Sequence, residues 1–223
     1  MMTAAWRSAV SGCCVLSLAA RAAAQVSVQG FVGTAFSLPT PLRIAQRGSD
    51  PIRLTARYHT KPLRGAPYYA WRVERETGER RGYALDFVHH KLYLQNRPPD
   101  VQKFEISHGF NMLSVAPWWR RGAARYLAGV GVVITHPETT VRGKALPAGR
   151  GLFGGGYYIS GVTLQGALGR RFRLGDRLFT SLEGKLTASY ARVPVAEGTA
   201  TVPNIALHTL VGVGSVIGDL RDP

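Results

Sequence analysis

Three observations predict an all-β protein, an antiparallel up-and-down transmembrane β-barrel of eight strands with ten as the second count. From Gln25 onward, large apolar side chains alternate with small or polar ones at a period of two, and no long run at helical spacing appears. No stretch of about 18 uninterrupted apolar residues occurs, so a helical span is excluded, whereas a barrel strand needs only about 9 to 11 residues with every second one apolar. The N-terminus, third, has the build of an export signal.

In that signal, Met1 to Arg7 carries one positive charge, Ser8 to Ala20 is apolar, and Ala22-Ala23-Ala24 offers the small residues a signal peptidase reads. Cleavage after Ala24 is expected, which assigns 1–24 to the signal peptide and 25–223 to the barrel. Val10-Ser11-Gly12-Cys13 resembles a lipobox, but the apolar core before it is too short. Cys13 and Cys14 both fall in the removed segment, so the mature chain uses neither disulfides nor thiolate chemistry.

Composition narrows the partners. Of 223 residues 45 % are hydrophobic and 18 % charged, which excludes a polar disordered tail. There are 28 Lys and Arg against 13 Asp and Glu, and losing Arg7 and Arg21 leaves 26 against 13. An exported basic chain meets anionic surfaces and not nucleic acid.

Taken along the chain, candidate strands run over 26–38, 51–60, 68–76, 82–94, 102–115, 123–135, 156–170, 177–190 and 204–217. In 51–60, Ile52, Leu54, Ala56 and Tyr58 share one face while Arg53, Thr55, Arg57 and His59 share the other. In 102–115, Phe104, Ile106, Phe110 and Met112 oppose Glu105, Ser107, Gly109 and Asn111. In 177–190, Leu178, Leu182 and Leu186 oppose Ser181, Glu183, Lys185 and Thr187. Charges in mid-strand, Gly and Ser on the polar face, and aromatics near strand ends (Tyr58, Tyr68, Tyr83, Tyr157, Tyr190) favour a membrane barrel with a polar lumen over a soluble sandwich or lipocalin-like barrel.

Connection lengths agree with short periplasmic turns at 116–122 and 171–176 and outer loops at 91–101, 136–156 and 191–203. Nine candidates conflict with the even number a barrel needs. The assignment most open to revision is 26–47, where Pro39 and Pro41 interrupt the alternation and Leu42 to Gln46 is an extra short strand or part of a loop. Two glycine runs lack the context of a phosphate cradle. Gly212-Val213-Gly214 opens no helix and reads as barrel packing, and Gly151 to Gly156 reads as an outer loop. Arg120-Arg121 and Arg170-Arg171 read as solvated charge at turns.

The stretch Gly82–Val115 carries most of the chemistry. If Arg97-Pro98-Pro99-Asp100 is a four-residue hairpin loop, opposed residue numbers sum to 197. His89 then faces His108 on the lipid side, His90 faces Ser107 and Asp86 faces Asn111 on the lumen side, and Phe87 faces Phe110. Ionisable groups turned towards lipid are costly, so this histidine pair is a functional candidate.

The segments Pro67-Tyr68-Tyr69, Asp86-Phe87-Val88-His89-His90-Lys91 and Phe104-Glu105-Ile106-Ser107-His108-Gly109-Phe110-Asn111 resemble a family of Gram-negative outer-membrane barrels that includes lipid A oxidase-like proteins. The resemblance spans about 67–115 and implies oxygen-dependent oxidation of the proximal glucosamine of lipid A with a divalent metal. A looser similarity is to lipid A deacylase barrels, whose His, Ser and carboxylate act at the lipid-facing surface. Ser107 directly precedes His108, so on a regular strand the two point to opposite faces and make no such triad.

Two functions follow as expectations. One is a structural or binding barrel in the outer membrane whose basic rim, Lys91, Arg97 and Lys103 on one loop and Arg142, Lys144 and Arg150 on another, binds lipopolysaccharide phosphates. The alternative is a lipid A-modifying enzyme with His89, His108 and Glu105 as catalytic residues and a divalent metal held by His89 and His108. Glu105 has lumen parity, so it joins the histidines only if the strand twists or bulges between Glu105 and His108.

Overall fold

The computed structural model describes residues 25–217; the expected signal segment 1–24 lies outside them. Thirteen strands are present: β1 (Val26–Ser37), β2 (Thr40–Gln46), β3 (Ile52–Ala56), β4 (Tyr58–His59), β5 (Tyr69–Gly78), β6 (Arg81–Leu94), β7 (Val101–Arg121), β8 (Ala124–Thr135), β9 (Glu138–Val141), β10 (Lys144–Ala145), β11 (Tyr158–Arg173), β12 (Leu178–Val195) and β13 (Gly198–Ile217). Eight of them, β1, β5, β6, β7, β8, β11, β12 and β13, pair antiparallel in that order, and β13 closes on β1. The fold is the expected eight-stranded barrel.

The odd candidate was 51–60, not 26–47. It splits into β3 and β4, which pair with β2 and with the outer end of β6 and never enter the ring. Residues 42–46 do form a strand, β2, clipped to β13 from Gly198 to Thr201. Another expectation fails at 191–203. Instead of an outer loop, β12 and β13 run on to a tight hairpin closed by the Val195–Gly198 pair, with Glu197 at φ 55°. β7 likewise continues through 116–121, and the turn sits at 122–123. Short turns at 79–80, 122–123 and 174–177 therefore mark one end of the barrel, and the segments 38–68, 95–100 and 136–157, beside the Val195–Gly198 hairpin, the other, which by the length rule is the outer end.

Alternation sorts the ring into three zones. Outside, Val32, Phe36, Leu85, Val115, Val130, Leu164, Leu168, Leu182, Leu186, Leu207 and Val211 form an apolar girdle, with Tyr83 and Tyr190 towards its two edges. Inside the inner half, charges satisfy one another. Arg72 bonds Asp86 at 2.7 Å and grips both oxygens of Glu183 at 2.7 Å, Lys185 bonds Asp86, and Glu74 takes Arg125 at 2.7 Å and Arg171 at 2.6 Å. Arg171 is thus a lumen residue, not the solvated turn charge expected of it. Pairing of this kind is what makes buried ions tolerable, since each alone would cost several kcal/mol.

Above that network the interior turns apolar. Leu42, Ile44, Ala56, Leu92, Phe104, Ile106, Phe110, Val133, Val141, Val193 and Val202 pack together with almost no exposure. Tyr58 and Tyr68 belong to this core as well and not to the expected aromatic edge. Between the two zones, His208 bonds Tyr68 at 2.7 Å and Thr187 at 2.8 Å, and His90 approaches Ser37 at 3.3 Å. The glycines of Gly212-Val213-Gly214 do serve packing: a Cβ at Gly212 would meet the Phe31 ring at 2.4 Å and one at Gly214 the Phe179 ring at 2.4 Å.

Candidate functional site

The register of β6 against β7 decides the site. Below it, opposed residues sum to 200, with His89 facing Asn111 and Asp86 facing Ser114. Above it, they sum to 198, with Tyr93 facing Glu105. Two extra residues of β7 are therefore bulged out between Ile106 and Phe110, and the constant sum of 197 is not observed. His89 does not face His108, His90 faces Phe110 instead of Ser107, and Phe87 faces Leu113 instead of Phe110. The loop assumed for that sum also differs, because the strands end at Leu94 and restart at Val101, six residues apart.

Gly109 makes the bulge possible. Its φ of 129° is a conformation that side chains avoid, and a Cβ there would lie 2.3 Å from the Asn111 amide folded over it. Asn111 is held in turn by His89, whose Nδ1 is 2.7 Å from Oδ1, and the His89 ring stacks on Tyr69 at 4.9 Å. Beyond the bulge β7 parts from β8 and takes β9 as its neighbour, with Glu105 opposite Glu138. The backbone N–H of His136 donates to Gly109 O at 3.0 Å and fastens the two sides of the parting.

This rearrangement gathers side chains on the outer wall, just above the girdle. His108 Nδ1 is 2.7 Å from Glu138 Oε1, and Ser107 Oγ donates to the same oxygen at 2.7 Å. Lys103 Nζ reaches Glu138 Oε2 at 2.5 Å and lies 3.9 Å from Glu105. The rings of His108 and His136 are 5.0 Å apart, and Tyr157 stands 4.8 Å beyond His136. A groove of about 220 Å³ runs beside them, lined by Lys103, His136, Glu138, Leu146, Pro147 and Tyr158. With His108 55 % exposed and Glu138 30 %, the groups remain reachable.

Burial works to raise the Glu138 pKa, but hydrogen bonds from Lys103, Ser107 and His108 outweigh it and hold the carboxyl at about 2. Burial, followed by the nearby His108, lowers His136, whose Nδ1 is buried without a hydrogen-bond partner. Near neutral pH the cluster thus holds a carboxylate at Glu138 and a neutral imidazole at His136.

Of the sequence candidates, His108 and Glu105 come to this cluster: His108 is turned outward by the bulge, whereas Glu105 faces outward because opposed residues sum to even numbers and not to 197, so the lumen parity expected of it is not observed. His89 supports the bulge from the side. Ser107 and His108 do not point to opposite faces, as their adjacency implied, because the bulge turns both towards Glu138. They still form no relay: Ser107 Oγ at 3.4 Å and Glu138 at 2.7 Å approach the same His108 nitrogen. Glu138 and His136 were missed, although Thr135-His136-Pro137-Glu138 sits at the start of an outer loop, where a His-x-Glu spacing is a usable signal.

The divalent ion implied by the family resemblance does not fit the pair expected to hold it. His89 does not stand opposite His108, and among the described residues no three His, Cys, Asp or Glu side chains converge as metal ligands.

The expected basic rim is mostly engaged within the protein. Lys91 is fully buried, donating to Arg64 O and Ala66 O at 2.6 and 2.7 Å, so it is no surface cation. Arg97 bonds Gln102 O at 2.6 Å, Lys103 Glu138, Arg142 Asp100 at 3.1 Å, and Lys144 Glu197; Arg150 is exposed on the 146–157 loop.

Comparison with known proteins adds the fold. No family model and no curated protein matches the sequence. Among solved structures, outer membrane protein AlkL in lipid bilayers superposes with a TM-score of 0.51 at 10 % identity, covering 100 % of this chain and 99 % of that one. The chain has the fold of an outer-membrane β-barrel. OprG from Pseudomonas aeruginosa follows at a TM-score of 0.49 with 9 % identity over 87 % of this chain and 96 % of that one. Ail of Yersinia pestis scores 0.40 at 12 % identity over 87 % and 99 %. With the apolar girdle, this fold puts the barrel in the outer membrane.

Proposed function

We propose that this barrel contacts lipopolysaccharide in the outer leaflet and modifies its lipid A headgroup at the Ser107, His108, His136 and Glu138 cluster. The observation that supports this reading is the bulge at Gly109, which sets an accessible imidazole against a buttressed carboxylate outside the barrel, immediately above the girdle. Strain and ionisable groups at a membrane surface are costly and accumulate where function requires them. Chemically, His108 is a general acid–base placed to exchange a proton with a headgroup hydroxyl, Glu138 orients its ring, and Lys103 keeps Glu138 ionised.

The experiment is mass spectrometry of lipid A from cells with the protein, without it, and with His108→Ala or Glu138→Gln. A mass change present only with the intact cluster supports modification. Unchanged lipid A in all strains rejects it and leaves a barrel that contacts lipopolysaccharide in a structural or binding role.

A further inference from the structure

We infer that Arg43, Arg53 and Arg192 form a binding surface for the phosphate groups of an outer-leaflet glycolipid, on the wall made by β12, β13, β2 and β3. The inference deepens the reading that lipopolysaccharide is what the outer wall meets, and it concerns a face other than the Ser107–Glu138 cluster.

Strand register carries it. Arg192 lies opposite Thr201, Thr201 opposite Arg43, and Arg43 opposite Arg53, so four neighbouring strands present one level row. All four residues have outward parity and all three arginines are exposed. At about 4.8 Å between strands, the row spans roughly 14 Å. None of the three arginines has an ion-pair partner among the described residues. That distinguishes them from Lys103, Arg142 and Lys144, each already held by an acid. The one carboxylate in the adjoining groove, which measures about 330 Å³ and is lined also by Arg47, is Glu197, and Lys144 occupies it.

Height identifies the ligand. Down β12 from Arg192, the outward residues are Tyr190, Ala188 and Leu186; across the sheet, Tyr190 faces Pro203, and Leu186 faces Leu207 beside Phe36. Tyr190 and Leu186 are both half exposed. The row therefore stands about 6–7 Å along the strand above the aromatic edge of the girdle, at the depth of headgroup phosphates. Guanidinium groups bind phosphate oxygens through paired hydrogen bonds, and Thr201 adds a hydroxyl between them. A free soluble anion would have no reason to prefer this height, whereas a membrane-anchored phosphate is delivered to it.

The test titrates the purified barrel in zwitterionic detergent with diphosphorylated lipid A, with dephosphorylated lipid A and with inorganic pyrophosphate, following the thermal unfolding midpoint. Diphosphorylated lipid A should raise it saturably. The triple Arg→Gln variant at 43, 53 and 192 should lose about a hundredfold in apparent affinity, and the triple Arg→Lys variant should retain part of it. Heat-modifiable gel migration verifies that each variant is folded. A matched triple, Arg80→Gln, Arg121→Gln and Arg177→Gln at the opposite rim, should bind like the parent.

Undiminished binding by the 43/53/192 Gln variant, equal loss in the matched triple, or pyrophosphate acting as well as lipid A would each overturn the inference. Lipid A chemistry is read separately, by the mass of lipid A from cells. Absence of any lipid A modification in cells rejects the enzymatic reading without touching this one.

Discussion

His108 Nδ1 lies 2.7 Å from Glu138 Oε1 although 30 residues separate them, and the contact exists because β7 exchanges β8 for β9 at the bulge. Regular pairing of β7 would have sent Ser107 and His108 to opposite sides of the wall.

Gly109→Ala tests the bulge. The added Cβ collides with Asn111 at a φ that alanine resists, at a cost of about 1–3 kcal/mol. The barrel should still assemble, with a lower urea midpoint in detergent, while the lipid A change disappears. Normal modification by this variant would show that the bulge is dispensable.

His89 and His108 should separate in effect. His108→Ala removes the acid–base group and should abolish the lipid A change, whereas His89→Ala loosens Asn111 and should lower the rate while leaving its pH profile intact. Asn111→Ala should resemble His89→Ala, because both act through the same bulge. Quantitative mass spectrometry of lipid A against time distinguishes the two classes.

Stability should fall with acid in two windows. Glu138 sits at about 2 in the folded protein against 4.5 ordinarily, so its contribution is full above pH 4.5 and is lost as pH falls towards 2. His136 is depressed below 6.5, so under that pH the unfolded chain takes up a proton that the folded one resists, and stability declines there too. Unfolding midpoints between pH 3 and 8 check this. Glu138→Gln should flatten the lower limb and His136→Gln the upper, and identical profiles for His136→Gln and the parent would contradict the assignment.

The lumen network should be non-additive. Arg72→Met leaves Asp86 short of one partner and Glu183 without its bidentate grip, a loss of about 3–5 kcal/mol. Adding Glu183→Leu removes the stranded carboxylate and should recover part of it. Equilibrium unfolding of both variants in detergent reads the coupling, and a double variant as weak as the sum of the singles would refute it.

Local pattern was sufficient for much of the barrel. Alternation along Leu178, Leu182 and Leu186 against Ser181, Glu183 and Lys185 is a property of neighbouring residues, so strand, facing and membrane girdle can be read without knowing any partner. The same pattern placed 51–60 in a strand but could not say that it caps the barrel, because an apolar face looks alike whether it meets lipid or a packed core. The functional candidates divide similarly. His108 stood out by its neighbours in sequence, while Glu138, His136 and the arginine row depended on strands brought together from distant segments.

By itself, then, the sequence determined an all-β barrel with an apolar outside and a charged inside, since periodicity and composition are carried by each segment alone, while the choice of which candidate strand to leave out of the eight was not in it. Register belonged to the tertiary structure. A two-residue bulge at Gly109 changes which residues oppose one another without disturbing the alternation on either side. Only the closed sheet, where every strand must satisfy two neighbours at once, decides between the alternatives.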